Sequence, residues 1–164
     1  MDAIDTCNIK IREAKLYDLP AMTRMERESF DSYQGPDNLS KELNRNDGSN
    51  YIAVAEAGDE RVGYANIHIV RGESQLYSIA IDSACRGQGI GEMLLSHMID
   101  KSRELGCDVM TLEVRAGNTA AIELYKKLGF KEVGRRKGYY RKEKEDAVLM
   151  DKELATIEIS VNVE

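Results

Sequence analysis

Tyr77-Ser78-Ile79-Ala80-Ile81-Asp82, followed after Ser83-Ala84-Cys85 by Arg86-Gly87-Gln88-Gly89-Ile90-Gly91-Glu92, decides how this chain is read. An apolar run of strand character ends, and Gly87, Gly89 and Gly91 follow. Ile90, Met93, Leu94, Met98 and Leu105 then recur on one helical face as far as Gly106, a residue type that tolerates a left-handed helix stop. A strand thus feeds a glycine loop into a helix N-terminus. Without Cβ atoms the loop amides can crowd around an anion, and the unsatisfied donors and positive end of the helix favour a phosphate there. A tight turn that uses glycine only for shape is the competing reading. Glu92 after Gly91 breaks the dinucleotide pattern, and no Gly-Lys-Ser/Thr ending follows, so neither hydride transfer nor nucleoside triphosphate hydrolysis is indicated.

Outward from this loop the elements alternate in a definite order. Ile9-Lys10-Ile11-Arg12 reads as a half-buried strand, and Asp18 as the cap of a helix carrying Leu19, Met22, Met25 and Phe30. Residues 31–50 are polar, with a short helical pattern at Ser40–Arg45. Tyr51–Ala57, a Gly58-Asp59-Glu60 turn, Arg61–Val70 and then Gln75–Asp82 form an antiparallel meander, unlike the strand-helix alternation of a dinucleotide fold. A strand Asp108–Arg115, a helix Asn118–Leu128 closed by Gly129, and strands Phe130–Arg136 and Asp146–Leu154 follow. Thr156–Val163 alternates with period two, as an additional strand would. The chain divides into a tail 1–7, a single domain 8–154 and an extension 155–164.

At 164 residues, 42% hydrophobic and 32% charged, the composition fits one soluble domain with a full core. No run approaches the roughly 20 apolar residues of a spanning helix, and Met1-Asp2-Ala3-Ile4-Asp5 has no export character, so a cytoplasmic protein is expected. Cys7, Cys85 and Cys107 lack paired spacing, and His68 and His97 are the only histidines; both facts argue against disulfides and a metal site. The formal charge of −6 argues against a nucleic-acid coat.

Arg86-x-x-Gly89-x-Gly91 resembles the acyl-CoA loop of the GCN5-related N-acetyltransferases (GNAT). The element order from residue 8 to residue 154 is similar to theirs. Leu112-Glu113-Val114-Arg115-Ala116-Gly117-Asn118, Ala120-Ala121-Ile122, Leu124-Tyr125, Leu128-Gly129-Phe130, Tyr139-Tyr140 and Glu145-Asp146-Ala147 look like the branch that acetylates protein N-termini, which includes the ribosomal-protein-alanine N-acetyltransferases. The resemblance implies an α/β (α+β) GNAT fold. Its mixed, mostly antiparallel sheet would have about seven strands flanked by about four helices and be splayed between the strands at 75–82 and 108–115.

It also implies acetyl-CoA as donor, with its pyrophosphate on the amides of Arg86, Gly87, Gln88, Gly89, Ile90, Gly91 and Glu92 and its pantetheine arm along Ile79, Ala80 and Ile81. Glu113 lies with Thr111 and Arg115 on the polar side of its strand. It reads as a salt-bridged surface glutamate or as the general base, and the branch motif favours the base. Tyr125 is a core tyrosine by its spacing and, by resemblance, the general acid at the departing sulfur. Asn118 serves equally as helix cap and CoA contact.

The basic run Lys131, Arg135, Arg136, Lys137, Arg141, Lys142 and Lys144 is either a solvated hairpin or, by resemblance, the cover of a peptide substrate, with Tyr139 and Tyr140 on the peptide. Phe30 and Tyr33 stand where the branch shapes its pocket for the first substrate residue, but Phe30-Asp31-Ser32-Tyr33-Gln34-Gly35-Pro36 departs from its aromatic and proline pattern. Cys85 has no histidine at a telling position, so direct transfer in a ternary complex is expected. The implied function is acetylation of a protein N-terminus, ribosomal or nascent, by a monomer or dimer. A lysine side chain, polyamine or other small amine is the alternative acceptor, and a non-catalytic CoA-binding module the alternative class.

Overall fold

The structure, a computed structural model, describes residues 5–29, 36–140 and 144–154. In chain order these form β1 (Ile9–Glu13), α1 (Leu19–Ser29), α2 (Pro36–Asn44), β2 (Asn50–Ala57), β3 (Glu60–Val70), β4 (Glu73–Ile81), α3 (Ile90–Glu104), β5 (Val109–Arg115), α4 (Thr119–Lys127), β6 (Lys131–Tyr140) and β7 (Glu145–Glu153). The strands make one sheet in the order β1-β2-β3-β4-β5-β7-β6, antiparallel at every pairing except β4 with β5. The α/β fold with a mixed, mostly antiparallel sheet is therefore as expected. No helix among the described residues is long and apolar enough to cross a membrane.

Each face of the sheet carries its own apolar layer, because strand residues alternate between faces. Ile90, Leu94, Leu95, Met98 and Ile99 of α3 pack on Ala53, Ala65, Ile67, Met110 and Leu112 on one side. Met22 and Met25 of α1 and Leu39 of α2 pack on Ile52, Val54, Tyr64 and Ala80 on the other. Along β5 the burial alternates strictly: Met110, Leu112 and Val114 are buried on the α3 side, and Thr111, Glu113 and Arg115 are half-buried on the opposite face.

The feature that positions the site is the junction of β4 and β5. Parallel pairing covers only Glu73–Gln75 against Val109–Thr111. At the same point β4 is bulged: Asn66 faces Ser78 and Ile67 faces Leu76, so Tyr77 has no opposite number on β3. A bulge bends its strand and raises the local twist, which carries the rest of β4 away from β5. The splay expected between these two strands is present.

Local details differ from the sequence reading. Asp18 does not cap α1; it is fully buried, and its carboxylate accepts from Arg12, Arg61 and the Lys15 amide. Two guanidiniums outcompete a helix end for a buried carboxylate because charged bonds are the stronger ones. The second helix starts at Pro36, ahead of the Ser40–Arg45 pattern, since proline at the first helical position needs no amide partner and has its φ preset. β6 runs on to Tyr140 across an irregularity in its pairing at Arg136–Tyr140, where Gly138 takes a positive φ. Leu105 is exposed, because it lies beyond the last helical turn of α3 instead of on its buried face. The expected C-terminal strand after Leu154 lies outside the described residues.

Candidate active site

The glycine loop has the geometry its sequence suggests. Gly87 and Gly89 hold φ of 77° and 83°, a region that side chains with a Cβ avoid, and Gly89 is the N-cap of α3. Met93 N–H donates to the Gly89 carbonyl, so the amides of Ile90, Gly91 and Glu92 precede the first intrahelical bond and remain free of the helix ladder. A Cβ on Gly91 would meet Leu124 at 3.6 Å and Ile81 at 3.9 Å, ordinary contacts, so the helix mouth packs beside α4 and β4 without requiring glycine at this position. An open cleft of about 480 Å³ beside the loop is lined by Gln88, Gly89, Glu92, Met93 and Ser96 together with Thr6 and Cys7. Nothing in the sequence joins Thr6 and Cys7 to the loop; the fold brings the N-terminal turn to it. Arg86 is held toward α1 by Ser29, and Glu92 is paired with Lys127 of α4 at 2.9 Å.

Downstream of the splay, β4 presents an unpaired edge. Asp82 N–H donates to the Val62 carbonyl, with Ile81 opposite Gly63 and Ile79 opposite Ala65. The alternation of an antiparallel ladder then turns the backbone groups of Ile79 and Ile81 toward the gap and those of Ala80 toward β3. Buried backbone donors and acceptors require partners, so this edge suits an extended ligand with amide groups of its own. The residues present thus fit acyl-CoA: free amides at a helix mouth for phosphates and a strand edge for an amide-bearing arm.

The gap connects the two faces of the sheet, and a candidate proton-transfer group stands on each. Glu113, 24% exposed, lies on the α1–α2 face with its Oε1 3.3 Å from Arg136 Nη2 of β6. Tyr125 of α4 is buried on the α3 face, edge-on to Phe130 at 5.9 Å between centroids. Burial pushes its phenol up to about 12, with a smaller contribution from Tyr140. Tyr140 of the basic hairpin is thereby placed near Tyr125, while Tyr139 stacks edge-on against Tyr140 at 5.2 Å and lies under the Arg136 guanidinium at 5.4 Å. Asn118 caps α4 by accepting from the Ala121 amide.

Other candidates separate from this group. Cys85 is buried and its thiol is pushed up by desolvation, so it is a core residue of the turn before the loop. Phe30, Tyr33, Arg141 and Lys142 lie outside the described residues. The sequence reading missed Arg136 as partner of Glu113; a basic residue in a basic run carries no signal of which one reaches across a strand. It also missed Tyr77, whose ring is exposed at the bulge and stacks on His68 at 4.0 Å.

The sequence profile of the Acetyltransferase (GNAT) family matches residues 16–130. The chain is 35% identical over 144 residues to the ribosomal protein bS18-alanine N-acetyltransferase of Escherichia coli K12, covering 81% of this chain and 89% of that one. The crystal structure of the corresponding Escherichia coli enzyme superposes with a TM-score of 0.82 at 28% identity, over 95% of this chain and 99% of that one. A Salmonella typhimurium protein solved with its cofactor acetyl-CoA superposes with a TM-score of 0.81 at 25% identity, over 90% of this chain and 95% of that one. The chain belongs to the GNAT acetyltransferase family, on the side of the ribosomal-protein-alanine N-acetyltransferases, and is an acetyl-CoA-dependent N-acetyltransferase.

Proposed function

We propose that the acceptor is the α-amine of a protein N-terminus, a ribosomal protein in the first instance, and that the acetyl group passes to it directly in a ternary complex. The observation that carries this reading is the gap between β4 and β5, with Glu113 on one face of the sheet and Tyr125 on the other. The similarity to enzymes named for ribosomal-protein alanine supports the choice of acceptor.

When bound, acetyl-CoA supplies an activated acetyl thioester. The chain's own residues do the rest. The amides of Arg86 to Glu92 hold phosphates at the mouth of α3, and the β4 edge orients the arm. An N-terminus arrives as an ammonium with a reference pKa near 8, and Glu113 takes its proton, directly or through water. Tyr125 keeps its own proton far above neutral pH and can give it to a departing thiolate. Tyr140, near Tyr125, and Tyr139, stacked on Tyr140, would contact the peptide, and the hairpin's basic residues would attract acidic side chains or the ribosome. Phe30 and Tyr33, outside the described residues, are proposed as acceptor contacts on the family resemblance alone.

The decisive experiment is mass spectrometry of a peptide library, with free and blocked N-termini, incubated with the protein and acetyl-CoA. Acetylation confined to free N-termini supports the reading. Equal labelling of N-terminally blocked peptides through lysine moves the activity to side-chain amines, and binding of acetyl-CoA without transfer to any amine leaves a non-catalytic module.

A further inference from the structure

A second carboxylate on the substrate face is buried and, among the described residues, has no counter-charge. Met22, Met25 and Glu26 are the buried residues of α1, so a glutamate occupies one place in an otherwise apolar stripe. Glu26 is 9% exposed, and among the described residues its Oε2 has no hydrogen-bond partner. Burial alone raises its pKa. Desolvating a carboxyl group without a partner is costly, and such a group calls for a ligand.

Its position follows from the contacts of α1. Arg24 pairs with Asp82 at 2.9 Å, Ser83 donates to Glu28 at 3.3 Å and Arg86 to Ser29 at 3.3 Å, which lays α1 along the outgoing end of β4. Burial pushes the Tyr64 phenol up and Glu26 adds to it; Tyr64 stands opposite Ala80, and among the described residues its buried hydroxyl has no hydrogen-bond partner. Glu26 therefore lies near Tyr64, whose strand partner Ala80 belongs to the segment that borders the gap, on the face that also carries Glu113. Of the other acids on elements packed against α1, Asp18 is satisfied by Arg12 and Arg61, Asp82 by Arg24, and Glu42 by Asn50, Asn66 and His68, while Asp37, Glu60 and Glu73 are exposed to solvent. Tyr77 on β4 stacks on His68, and Cys85 is buried beyond β4. Across the gap Glu113 already has Arg136.

We propose that Glu26, with the Tyr64 hydroxyl beside it, is a further substrate-binding group that receives the α-ammonium of the acceptor before Glu113 takes its proton. This rests on the acceptor reading given above. A primary ammonium carries three donors and a full charge, so it can satisfy Glu26 and still present a proton to a second acceptor.

The test is steady-state acetylation of a free-N-terminus peptide by wild type, Glu26→Gln and Glu26→Asp, from about pH 6 to about pH 9.5, which spans the amine's titration. Glu26→Gln raises the peptide KM about tenfold or more at low pH, the difference closes as the amine loses its charge, and Glu26→Asp retains part of the effect. The KM for acetyl-CoA stays unchanged in all three. An unchanged peptide KM, or the same KM ratio at every pH, overturns the proposal. Should wild type leave free N-termini unmodified, the acceptor reading fails separately. The carboxyl ¹³C resonance of Glu26, assigned by its loss in Glu26→Gln, then decides: alaninamide added to the CoA-saturated protein lowers its titration midpoint if the site binds an ammonium, and no movement refutes it.

Discussion

Arg136 Nη2 of β6 lies 3.3 Å from Glu113 Oε1 of β5, two strands away in the sheet. β7 separates them, and in its register Ala147 stands between Arg115 and Arg136 while Leu149 faces Glu113. A small residue on the intervening strand leaves room for the guanidinium to reach across. The carboxylate assigned to proton removal is thus held by a residue of the same hairpin that carries Tyr139 and Tyr140.

Removing the proposed acid and base separates chemistry from binding. Glu113→Gln and Tyr125→Phe should each lower kcat by about 10²- to 10⁴-fold while leaving acetyl-CoA affinity intact, as positioned proton transfer contributes in that range. Thiol release in a stopped assay and calorimetric titration of the cofactor check the two halves. Unchanged turnover in both variants would sink the assigned roles.

Arg136→Ala should barely change stability, by less than about 1 kcal/mol, because the guanidinium is 55% exposed and such pairs are screened by solvent. Its effect should appear in the kinetics for peptide, since Glu113 loses its tether. A shift in the denaturation midpoint larger than that, with normal kinetics, would make the pair structural.

Asp18 governs acid stability. Burial opposes its ionisation, but Arg12, the Lys15 amide and Arg61 hold the carboxyl down at about 2, below its ordinary 3.8. A depressed carboxyl contributes stability that is complete above its unfolded pKa and lost as pH falls toward its folded value. Wild type should therefore lose about 2 kcal/mol between about pH 5 and about pH 2 through this group. Asp18→Asn should be less stable at neutral pH and show a flatter acid limb in urea titrations; an unaltered slope would contradict the assignment.

Gly89 and Gly91 should respond differently to alanine. At Gly89 there is open space but φ is 83°, so Gly89→Ala costs about 1–2 kcal/mol of backbone strain and weakens acetyl-CoA binding by reshaping the loop. Gly91 is helical with only ordinary contacts in reach of a Cβ, so Gly91→Ala should be tolerated. Cofactor titration and thermal melting of the two variants make the comparison.

Local rules in the amino-acid sequence determined the element order, the glycine loop and the polar face of β5, because hydrophobic period, turn chemistry and strand alternation are short-range properties. Gly89 at the helix mouth, Asn118 as a cap, and the faces on which Glu113 and Tyr125 lie were legible for that reason, while the proposed roles of Glu113 and Tyr125 came from the family resemblance. Tertiary structure alone decided the rest. Asp18 was drawn from a helix cap to Arg12 and Arg61, and Arg136 to Glu113, by strands distant in the chain. The bulge at Tyr77 and the short β4–β5 pairing opened the gap, and α1 set the buried Glu26 near Tyr64. Long side chains find charged partners wherever packing brings them, and pairing ends where twist accumulates across a sheet; neither is encoded within a window of neighbouring residues.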